Sequence, residues 1–335
     1  MSLDLVKPAQ IAPLTGPDLV ARNALRHLER IEDNHAATMA QLGCLQRVEV
    51  SAIGPAGPHA FPLTVGAWNL ERCYAVEASA AVLKREGVAL APLSEVDNGM
   101  ARTGQRHTAR DIAQLLGMNH AFGVEFLELE LGSAVELEFC TDDFNLHGFH
   151  GNALLARTAL LAPVMIRLEA HGHWFRPESP AHRIGTRCAI ATAVLTEAGP
   201  LFAVSVHLEN AADAAYREAQ VRLMLDAVDG LAGDVPVIIG GDLNTRVTDG
   251  NAVDAETLFA HALGRGYARH GGPADQMTTR ASRVSRTPSG ASKLDWFLTR
   301  GLDVSESRIV PAVAPDGEVL SDHDMVVATI AGFSA

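Results

Sequence analysis

The sequence predicts a mixed α/β fold in which two sheets pack face to face and helices flank them. About ten strand-like runs stand beside only a few helical ones, which is too rich in strands for simple βαβ winding. Apolar residues make up 47% of the 335 residues and charged residues only 20%, as in a packed globular protein. No internal repeat of the kind that marks solenoids or propellers is visible. These observations favour a globular domain built mainly from strands.

The segments predicted as strands are β-branched, apolar or alternating, and turn residues bound each of them. They are 63–68, 88–96, 122–131, 153–155, 164–168, 189–195, 201–207, 235–239, 294–298 and 326–330. Helical periodicity predicts helices over 75–86, 106–117, 211–230 and 254–264. The segment 211–230 gives the clearest pattern, with an apolar stripe formed by Ala214, Val221, Leu225 and Val228.

The first 58 residues are predicted to form a helical extension, and 59–335 the main domain. An amphipathic helix is expected over 18–43, and the helix breakers of 54–58 mark the boundary. The extension is expected to pack on the main domain or to form an oligomer contact. The sequence leaves the oligomeric state open.

The net charge of −13 disfavours nucleic acid as a partner, because phosphate contacts need a basic surface. One local basic stretch runs counter to this trend: Arg280, Arg283, Arg286 and Lys293 lie in a loop rich in Ser, Thr and Gly. The stretch could line a nuclease site or form an ordinary solvated loop.

The compartment is predicted from what the sequence lacks. The four cysteines include no CxxC pair, and neither a secretory signal nor an apolar run long enough for a membrane span is visible. We therefore expect reduced thiols and a cytoplasmic protein.

The run 237–244 carries an acid and an amide at the end of an apolar strand. Side chains alternate in direction along an extended chain, so Asp242 and Asn244 are expected to point the same way. Such a pair is suited to orienting a water and holding a phosphate oxygen. An Asx-turn at a strand end is the alternative.

Two earlier strands also end in polar residues. Glu95 terminates the apolar run 88–96, where a carboxylate can bind a hard cation such as Mg²⁺. Asn69 follows an apolar strand, and a buried amide there needs a metal shell, a phosphate oxygen or a structural partner. A surface carboxylate is the alternative for Glu95.

Two histidines occupy comparable positions. His207 ends the strand 201–207 and is predicted to donate to a phosphate oxygen, or else to be an ordinary rim residue. The tripeptide 321–323 precedes the last strand, and an imidazole held by a carboxylate can act as an acid or base near neutral pH. Asp295 is the expected partner of His323, which would leave Asp322 for a metal or a phosphate. A helix cap or turn is the alternative.

The glycine-flanked run 148–157 suggests two substrate-binding residues, with Asn152 at the mouth of a strand and Arg157 beyond it. A β-bulge with an exposed arginine is the alternative.

His171 and His173 have the spacing of a metal pair, but a loop with two exposed imidazoles is favoured there.

In their order along the chain, these motifs resemble those of the endonuclease/exonuclease/phosphatase superfamily. The matching pieces are Asn69, Glu95, Gly-Asn-Ala-Leu-Leu-Ala-Arg, Val-His-Leu, Gly-Asp-Leu-Asn, Leu-Asp-Trp and Ser-Asp-His. The resemblance covers roughly residues 62–333. It implies a four-layered α/β sandwich of two mostly antiparallel sheets, with the site at one edge. It also implies a divalent metal, Mg²⁺ or Mn²⁺, and hydrolysis of a phosphoester.

The resemblance implies a role for each matched residue on the metal and water side of the site. Glu95 is expected as the principal metal ligand, with Asn69 beside it and Asp322 as a further carboxylate of the metal shell. Asp242 is expected to orient or deprotonate the attacking water. Asn244 would be its phosphate-binding neighbour.

The remaining matched residues are expected to stabilise charge on the phosphoryl group. His323 would stabilise the pentacoordinate phosphorus, with Asp295 holding it, while His207 and Asn152 donate to the same oxygens. An acid on an earlier strand partners the first histidine in several branches of the superfamily. Three acids compete for that role here, Glu125, Glu128 and Glu130. We expect Glu125 to be the partner of His207.

Three functions stay open at this point. The acidic composition favours a phosphodiesterase or phosphatase acting on a small molecule or lipid headgroup. A metal-dependent nuclease acting on DNA or RNA is the second. A catalytically silent binding module on the same fold is the third, and the presence of all the expected polar residues speaks against it.

Overall fold

The computed structural model describes residues 5–168, 182–248, 252–287 and 290–334. His171 and His173, considered above as a metal pair, lie outside the described residues. Within the described part, the strands form one continuous hydrogen-bonded path, and helices cover its outer faces.

The helices are α1 Leu19–His27, α2 Glu32–Gln41, α3 Val76–Arg85, α4 Thr108–Leu116, α5 Ala214–Ala232 and α6 Thr257–Gly264. The strands are β1 Val6–Gln10, β2 Val48–Ser51, β3 Leu63–Arg72, β4 Leu90–Asn98, β5 Asn119–Glu128, β6 Phe149–Ala156, β7 Leu160–Arg167, β8 Arg183–Gly185, β9 Cys188–Thr196, β10 Gly199–His207, β11 Val237–Val247, β12 Ala268–His270, β13 Lys293–Arg300, β14 Leu302–Val310 and β15 Met325–Phe333. Each strand and helix predicted after residue 58 is present, with most ends shifted by up to four residues and the end of β11 by eight, since it extends to Val247. The strands that the sequence analysis did not predict are β1, β2, β8, β12 and β14.

The mixed α/β class is confirmed, with one refinement to the expectation of two sheets. The strand order is β12-β13-β11-β10-β9-β7-β1-β2-β5-β6-β4-β3-β15-β14, with β8 paired to β5. The path has two halves, and β1 joins them by pairing antiparallel with β7 and parallel with β2. Besides β1 with β2, the parallel pairs are β3 with β4 and β10 with β11, and the rest are antiparallel. The two halves are therefore one hydrogen-bonded system folded over on itself.

Three apolar clusters hold the layers together. The central one lies between the two halves and includes Val65 and Leu154 of one half with Ile190, Ile238 and Phe297 of the other. A second cluster packs α3 and α4 on the outer face of the first half, and a third packs α5 and α6 on the outer face of the second. The order of layers is thus helix, sheet, sheet, helix, because each sheet face is apolar and must be covered.

The helix expected over 18–43 is two helices, and that prediction is corrected. Leu28 and Ile31 are extended, so the chain breaks between α1 and α2. The break lets each helix reach a different partner: Arg22 of α1 donates to the Asn145 carbonyl, while His35 of α2 accepts from the Gly185 backbone N–H. Because β1 and β2 pair with strands of the main domain, the first 58 residues also contribute to the sheets. The domain boundary near residue 58 stays a prediction.

Among the described residues, none of the helices combines the length and the apolar character that crossing a bilayer requires.

Candidate active site

The polar strand ends converge at one edge of the two halves. The parallel pair β3–β4 ends there with Asn69 and Glu95, and the parallel pair β10–β11 brings His207 beside Asp242. Antiparallel β13 runs the other way, so its beginning carries Asp295 to the same edge, opposite Asp242. Carboxyl ends of parallel strands meet at one edge of a sheet. This geometry gathers residues that are far apart in sequence.

Asp242 lies at the centre of this group and is buried. Its Oδ2 accepts a hydrogen bond from the Asn69 amide nitrogen at 3.0 Å, and the same nitrogen donates to Glu95 Oε1 at 3.1 Å. The Nε2 atoms of His207 and His323 lie 3.6 Å and 3.7 Å from Asp242 Oδ2. One carboxylate oxygen is therefore flanked by two imidazoles and an amide.

His323 is held by Asp295, as the sequence analysis expected. Its Nδ1 lies 2.8 Å from Asp295 Oδ2, and its backbone carbonyl accepts from the Trp68 indole N–H at 2.8 Å. Burial opposes the charged imidazole, but the carboxylates of Asp295, Asp242 and Asp322 hold the pKa of His323 well above its usual value. Burial and the nearby Asp242 also raise the pKa of Asp295, to about 6. Both shifts reflect a site with more carboxylates than cations.

His207 is held by an acid and a cation. Its Nδ1 is 3.3 Å from Glu125 Oε2, and the Arg187 guanidinium lies 3.0 Å from both ring nitrogens. Arg187 also pairs with Glu125 at 2.5 Å and with Glu209 at 3.2 Å. Burial opposes ionisation of Glu125, but Arg187 and His207 keep its pKa below the usual value. Among the three acids considered, Glu125 is the one beside His207. Nothing in the sequence indicated Arg187.

Asp242 forms the Asx-turn considered as the alternative, and Asn244, which closes the turn, also lines the pocket. Its backbone N–H donates to Asp242 Oδ1 at 2.8 Å, while its side chain donates to the Leu208 carbonyl at 2.9 Å. The turn fixes the Asp242 carboxylate, and one N–H of the Asn244 amide is left to bind a substrate oxygen.

Asp322 faces a loop that the sequence analysis had not connected to it. Its Oδ1 lies 3.9 Å from His323 Nε2, and its Oδ2 accepts from the Ser285 hydroxyl at 2.6 Å. Glu71 accepts from the backbone N–H groups of Asp322 and Ser285, and burial together with Asp322 raises the pKa of Glu71. Ser321 fixes this corner, donating to the Asn69 carbonyl at 2.6 Å and accepting from the His323 N–H at 3.0 Å. Glu71 and Ser321 are thus positioning residues that sequence reasoning missed.

The backbone is strained around the same group. Positive φ angles occur at Glu71, Arg72, Cys73, Glu95 and Asn244, although none of them is glycine. Non-glycine residues rarely adopt this region, and such strain concentrates at functional sites, where the surrounding structure enforces it. No property of the sequence indicated these angles.

Two predicted substrate-binding residues do not reach the group. Asn152 is fully buried, and its side chain donates to the Cys188 carbonyl at 2.8 Å. Arg157 is exposed and follows β6, which runs antiparallel to β4, so it lies at the opposite edge. Along β4 that edge is about 17 Å from Glu95, five residues away. The interpretation of Arg157 as a substrate contact is therefore corrected, because the direction of β6 carries Arg157 to the edge opposite the site.

The donor set at the site fits a hard divalent cation. Glu95 and Asp242 direct carboxylate oxygens toward the same Asn69 amide, and such oxygens are the ligands that Mg²⁺ prefers. The Asn69 oxygen accepts from the Glu71 N–H at 3.0 Å and keeps a second lone pair. The other oxygen of Glu95 pairs with Arg72, which also binds Glu136 at 2.9 Å. A different triple, formed by Asp242, Asp295 and His323, brings potential ligand atoms within 4.8 Å of one another.

Part of this group lines a cavity of about 450 Å³. One wall is formed by the site residues Glu95, His207, Asp242, Asn244, Asp322 and His323, and the other by described residues of the loop 279–292. The loop carries the basic stretch, but its charges are largely neutralised. Arg280 pairs with Asp324 and Arg283 with Glu318, while Arg286 lines the cavity and pairs with exposed Glu138 at 2.6 Å.

Lys293, the last member of the basic stretch, turns inward. It is buried, and its ammonium group donates to the Gly272 carbonyl at 3.3 Å. Burial lowers the pKa of Lys293 to about 8. The stretch therefore does not present four free cations to a ligand.

Residues 68–323 match the sequence profile of the Endonuclease/Exonuclease/phosphatase family. None of the curated proteins matches the chain. Solved structures with the same fold include an endonuclease/exonuclease/phosphatase from Beutenbergia cavernae, with a TM-score of 0.55, 21% identity, and coverage of 82% of this chain and 72% of that one. The catalytic domain of human Nocturnin with a bound sulfate has a TM-score of 0.54 and 17% identity, with coverage of 86% and 97%. TDP2 of D. rerio in complex with a single-strand DNA product has a TM-score of 0.50 and 17% identity, with coverage of 80% and 98%.

Proposed function

The chain belongs to the endonuclease/exonuclease/phosphatase family, and on that premise we propose that it hydrolyses phosphoester bonds with the help of a divalent metal ion. One observation carries the proposal. Asp242 Oδ2 lies between the Nε2 atoms of His207 and His323, at 3.6 Å and 3.7 Å, on the wall of an open cavity. A carboxylate that can orient a water thus stands beside two groups that can donate to a phosphoryl oxygen.

Asp242 is proposed to align the attacking water. The Asn69 amide and the Asn244 backbone N–H fix its two oxygens, so the carboxylate is oriented before substrate binds. The flanking donors His207 and His323, with the Asn244 side chain, would stabilise the charge that develops on phosphorus. Preorganised donors of this kind usually supply the largest single contribution to rate.

His323 is proposed to act in its protonated form. The Asp295 carboxylate holds Nδ1 at 2.8 Å, so Nε2 faces the cavity as a charged donor. Glu125 lies beside Nδ1 of His207, and the Arg187 guanidinium contacts both nitrogens of that ring. Both imidazoles are therefore fixed in orientation by residues that do not themselves face the substrate.

Glu95 and Asn69 are proposed to bind the metal, Mg²⁺ or Mn²⁺, with Asp322 as a further carboxylate. When bound, the metal supplies Lewis-acid polarisation of the phosphoryl oxygen and neutralises charge on the leaving group. Glu95 is partly exposed to the cavity, which leaves its carboxylate accessible to a cation.

The proposed substrate is a small phosphoester, with a phosphodiester favoured, on a small molecule or lipid headgroup. The cavity of about 450 Å³ has the size of a small-ligand site. The loop cations that would follow a nucleic-acid backbone pair instead with Asp324, Glu318 and Glu138. Aromatic side chains for stacking bases are not among the described lining residues.

We also propose a cytoplasmic location, supported by four cysteines that form no disulfide.

A nuclease is the second candidate, favoured by one observation. Arg286 lines the cavity, and its pair with Glu138 is half exposed, so a phosphate can displace that carboxylate. Binding at several backbone phosphates would make activity fall steeply with added salt. A small-substrate enzyme should depend on salt far less.

The experiment is a metal-dependent assay on purified protein. We expect hydrolysis of bis-p-nitrophenyl phosphate with Mg²⁺ or Mn²⁺, loss of it with EDTA, and recovery on adding metal back. Asp242→Ala should abolish activity, and Asp316→Ala, in an exposed turn, is the matched control. An Asp242→Ala protein as active as wild type would refute the catalytic proposal and favour a silent binding module.

A panel of nucleic acids, lipid phosphodiesters and sugar phosphates, each measured at two salt concentrations, then separates the two substrate classes. Preference for a small ester, with little dependence of activity on salt, supports a small-molecule or lipid-headgroup substrate. Steep salt dependence on DNA or RNA overturns it in favour of the nuclease.

A further inference from the structure

A second cluster of ligand-type side chains lies under α4, away from the cavity. It consists of Glu49 on β2, His107 at the start of α4 and His120 on β5. One ligand atom from each residue lies within 4.8 Å of the others, and all three side chains are buried. The chain therefore buries a carboxylate and two imidazoles in one place, outside the site described above.

The spacing within the cluster is that of a metal site. Glu49 Oε1 lies 3.0 Å from His107 Nε2 and 3.9 Å from His120 Nε2. A tetrahedral zinc ion with ligand bonds of about 2.0–2.1 Å separates its ligand atoms by roughly 3.3 Å. The first distance would lengthen by about 0.3 Å and the second shorten by about 0.6 Å to reach that spacing, and the two imidazole ligand atoms lie within 4.8 Å of each other.

His120 provides a second, independent observation. Its side chain is fully buried, and neither ring nitrogen forms a hydrogen bond within the described part of the chain. Buried polar atoms are nearly always satisfied, so an imidazole with two unsatisfied nitrogens requires an explanation. Its Nε2 lies on the Glu49 side, where a bound cation would satisfy it.

The charge state of the cluster suits a cation. Burial opposes ionisation of Glu49, but the hydrogen bond to His107 and the nearby imidazole of His120 keep the pKa of Glu49 below its usual value. Burial lowers the pKa of His107. A carboxylate and a neutral imidazole are the forms that bind metal. The Leu14 N–H donates to Glu49 Oε2 at 2.9 Å and fixes the carboxylate from behind.

We propose that Glu49, His107 and His120 bind a structural divalent transition-metal ion, for which zinc is the best match. Two imidazoles and one carboxylate form a donor set that zinc accepts, and a water molecule would complete its four-coordination. Binding at His107 Nε2 moves the ring proton to Nδ1. The contact at 3.3 Å in which Nδ1 accepts the Arg110 N–H is then given up. The ion would tie β2 of the N-terminal segment to α4 and β5.

The site is independent of the proposed catalysis. His120 and Glu125 lie five residues apart on β5, a separation of about 17 Å along the strand. His107 packs its ring on Phe122, under α4, whereas Glu125 contacts His207 at the cavity. Loss of metal from one site therefore need not empty the other.

The test counts metal in a Glu95→Gln background, which weakens the proposed catalytic metal site. Protein loaded with Zn²⁺ or Co²⁺ and desalted should retain roughly one equivalent by elemental analysis, and the Co²⁺ form should show the intense visible bands of a four-coordinate ion. Adding His120→Phe should remove that equivalent and the bands. It should also abolish the rise in thermal midpoint that Zn²⁺ produces in the parent.

Phenylalanine is chosen because it fills a similar volume with an apolar ring. If the cluster binds no metal, the substitution merely removes two unsatisfied nitrogens, and stability should hold or increase. Glu49→Gln serves as a second variant if His120→Phe does not fold, since it keeps an acceptor for the Leu14 N–H. Retention of the same metal content in both variants, or a parent that retains no metal and whose midpoint ignores Zn²⁺, overturns the proposal.

Discussion

Asp242 and Asp295 lie directly opposite each other on the antiparallel strands β11 and β13, and both are buried. Two like charges in that position repel each other. The imidazole of His323 contacts both, with Nδ1 at 2.8 Å from Asp295 and Nε2 at 3.7 Å from Asp242. A proton on His323 therefore offsets the repulsion, and the three side chains act as one electrostatic unit.

The pH dependence of activity should report this unit. Because the carboxylates raise the pKa of His323, its protonated form persists above the usual range and is lost only as pH rises through the elevated value. Asp295→Asn removes the closest carboxylate, so the pKa of His323 should fall and the alkaline loss of kcat should move to lower pH. A pH profile of kcat checks this, with Asp316→Asn as the control. An unchanged alkaline limb would show that His323 does not act as a charged donor.

Removing the donor itself should lower turnover while leaving binding nearly intact. For His323→Gln we expect kcat to fall on the order of 10²–10³, as for other lost transition-state donors, with little change in KM. Steady-state kinetics on bis-p-nitrophenyl phosphate gives both constants. His270→Gln is the matched control, because His270 hydrogen-bonds Thr299 on β13 and is absent from the cavity lining. A rise in KM alone would assign His323 to substrate binding.

The metal requirement should depend on Glu95. Glu95→Gln keeps the shape of the side chain but removes its charge, so the Mg²⁺ concentration that gives half-maximal activity should rise by tenfold or more, about 1.4 kcal/mol of binding free energy. Titration of activity with Mg²⁺ after EDTA treatment and desalting measures it. Asp316→Asn, in an exposed turn, should leave the titration unchanged. Equal titrations for Glu95→Gln and wild type would remove Glu95 from the metal site.

Stability should depend on a buried ion pair that joins α5 to the start of α6. Arg217 of α5 pairs with Glu256 at 2.6 Å, and both side chains are nearly inaccessible. Glu256→Ala leaves the guanidinium buried without its carboxylate and should cost about 3–5 kcal/mol of unfolding free energy. The exposed pair of Arg222 and Glu218 offers the control, because Glu218→Ala should cost less than about 1 kcal/mol. Urea unfolding monitored by fluorescence compares the two, and equal costs would contradict the argument from burial.

Much of the fold could be predicted because the strands after residue 58 carry strong local signals. Each apolar run is bounded by turn residues, so β3, β10 and β11 follow from composition alone. The strands that were missed had weaker signals: β1 contains Pro8, β8 and β12 are three residues long, and β14 is largely polar. Such strands are stabilised by the neighbours they pair with, which a local pattern does not contain.

The residues of the candidate site likewise fall into those that a local sequence pattern reveals and those that only long-range contacts reveal. Asp242, His323, Asp295, His207 and Glu95 could be singled out because each polar residue interrupts or ends an apolar run. Arg187 and Glu71 lie in segments without such a contrast, and only long-range contacts give them a place. Arg157 was misassigned because its position depends on the direction of β6 relative to β4.

The sequence by itself determined the kind of secondary structure along most of the chain, and it singled out polar residues, among them Asp242, His323 and Glu95, that line the cavity. Side-chain type and strand periodicity are local properties, and they require no knowledge of neighbours. Only the tertiary structure decided that Asp242 faces Asp295 across two strands, that Asn152 turns inward, and that Glu49, His107 and His120 meet under α4. Those relationships depend on strand order and register, which are set by burial of the whole apolar surface.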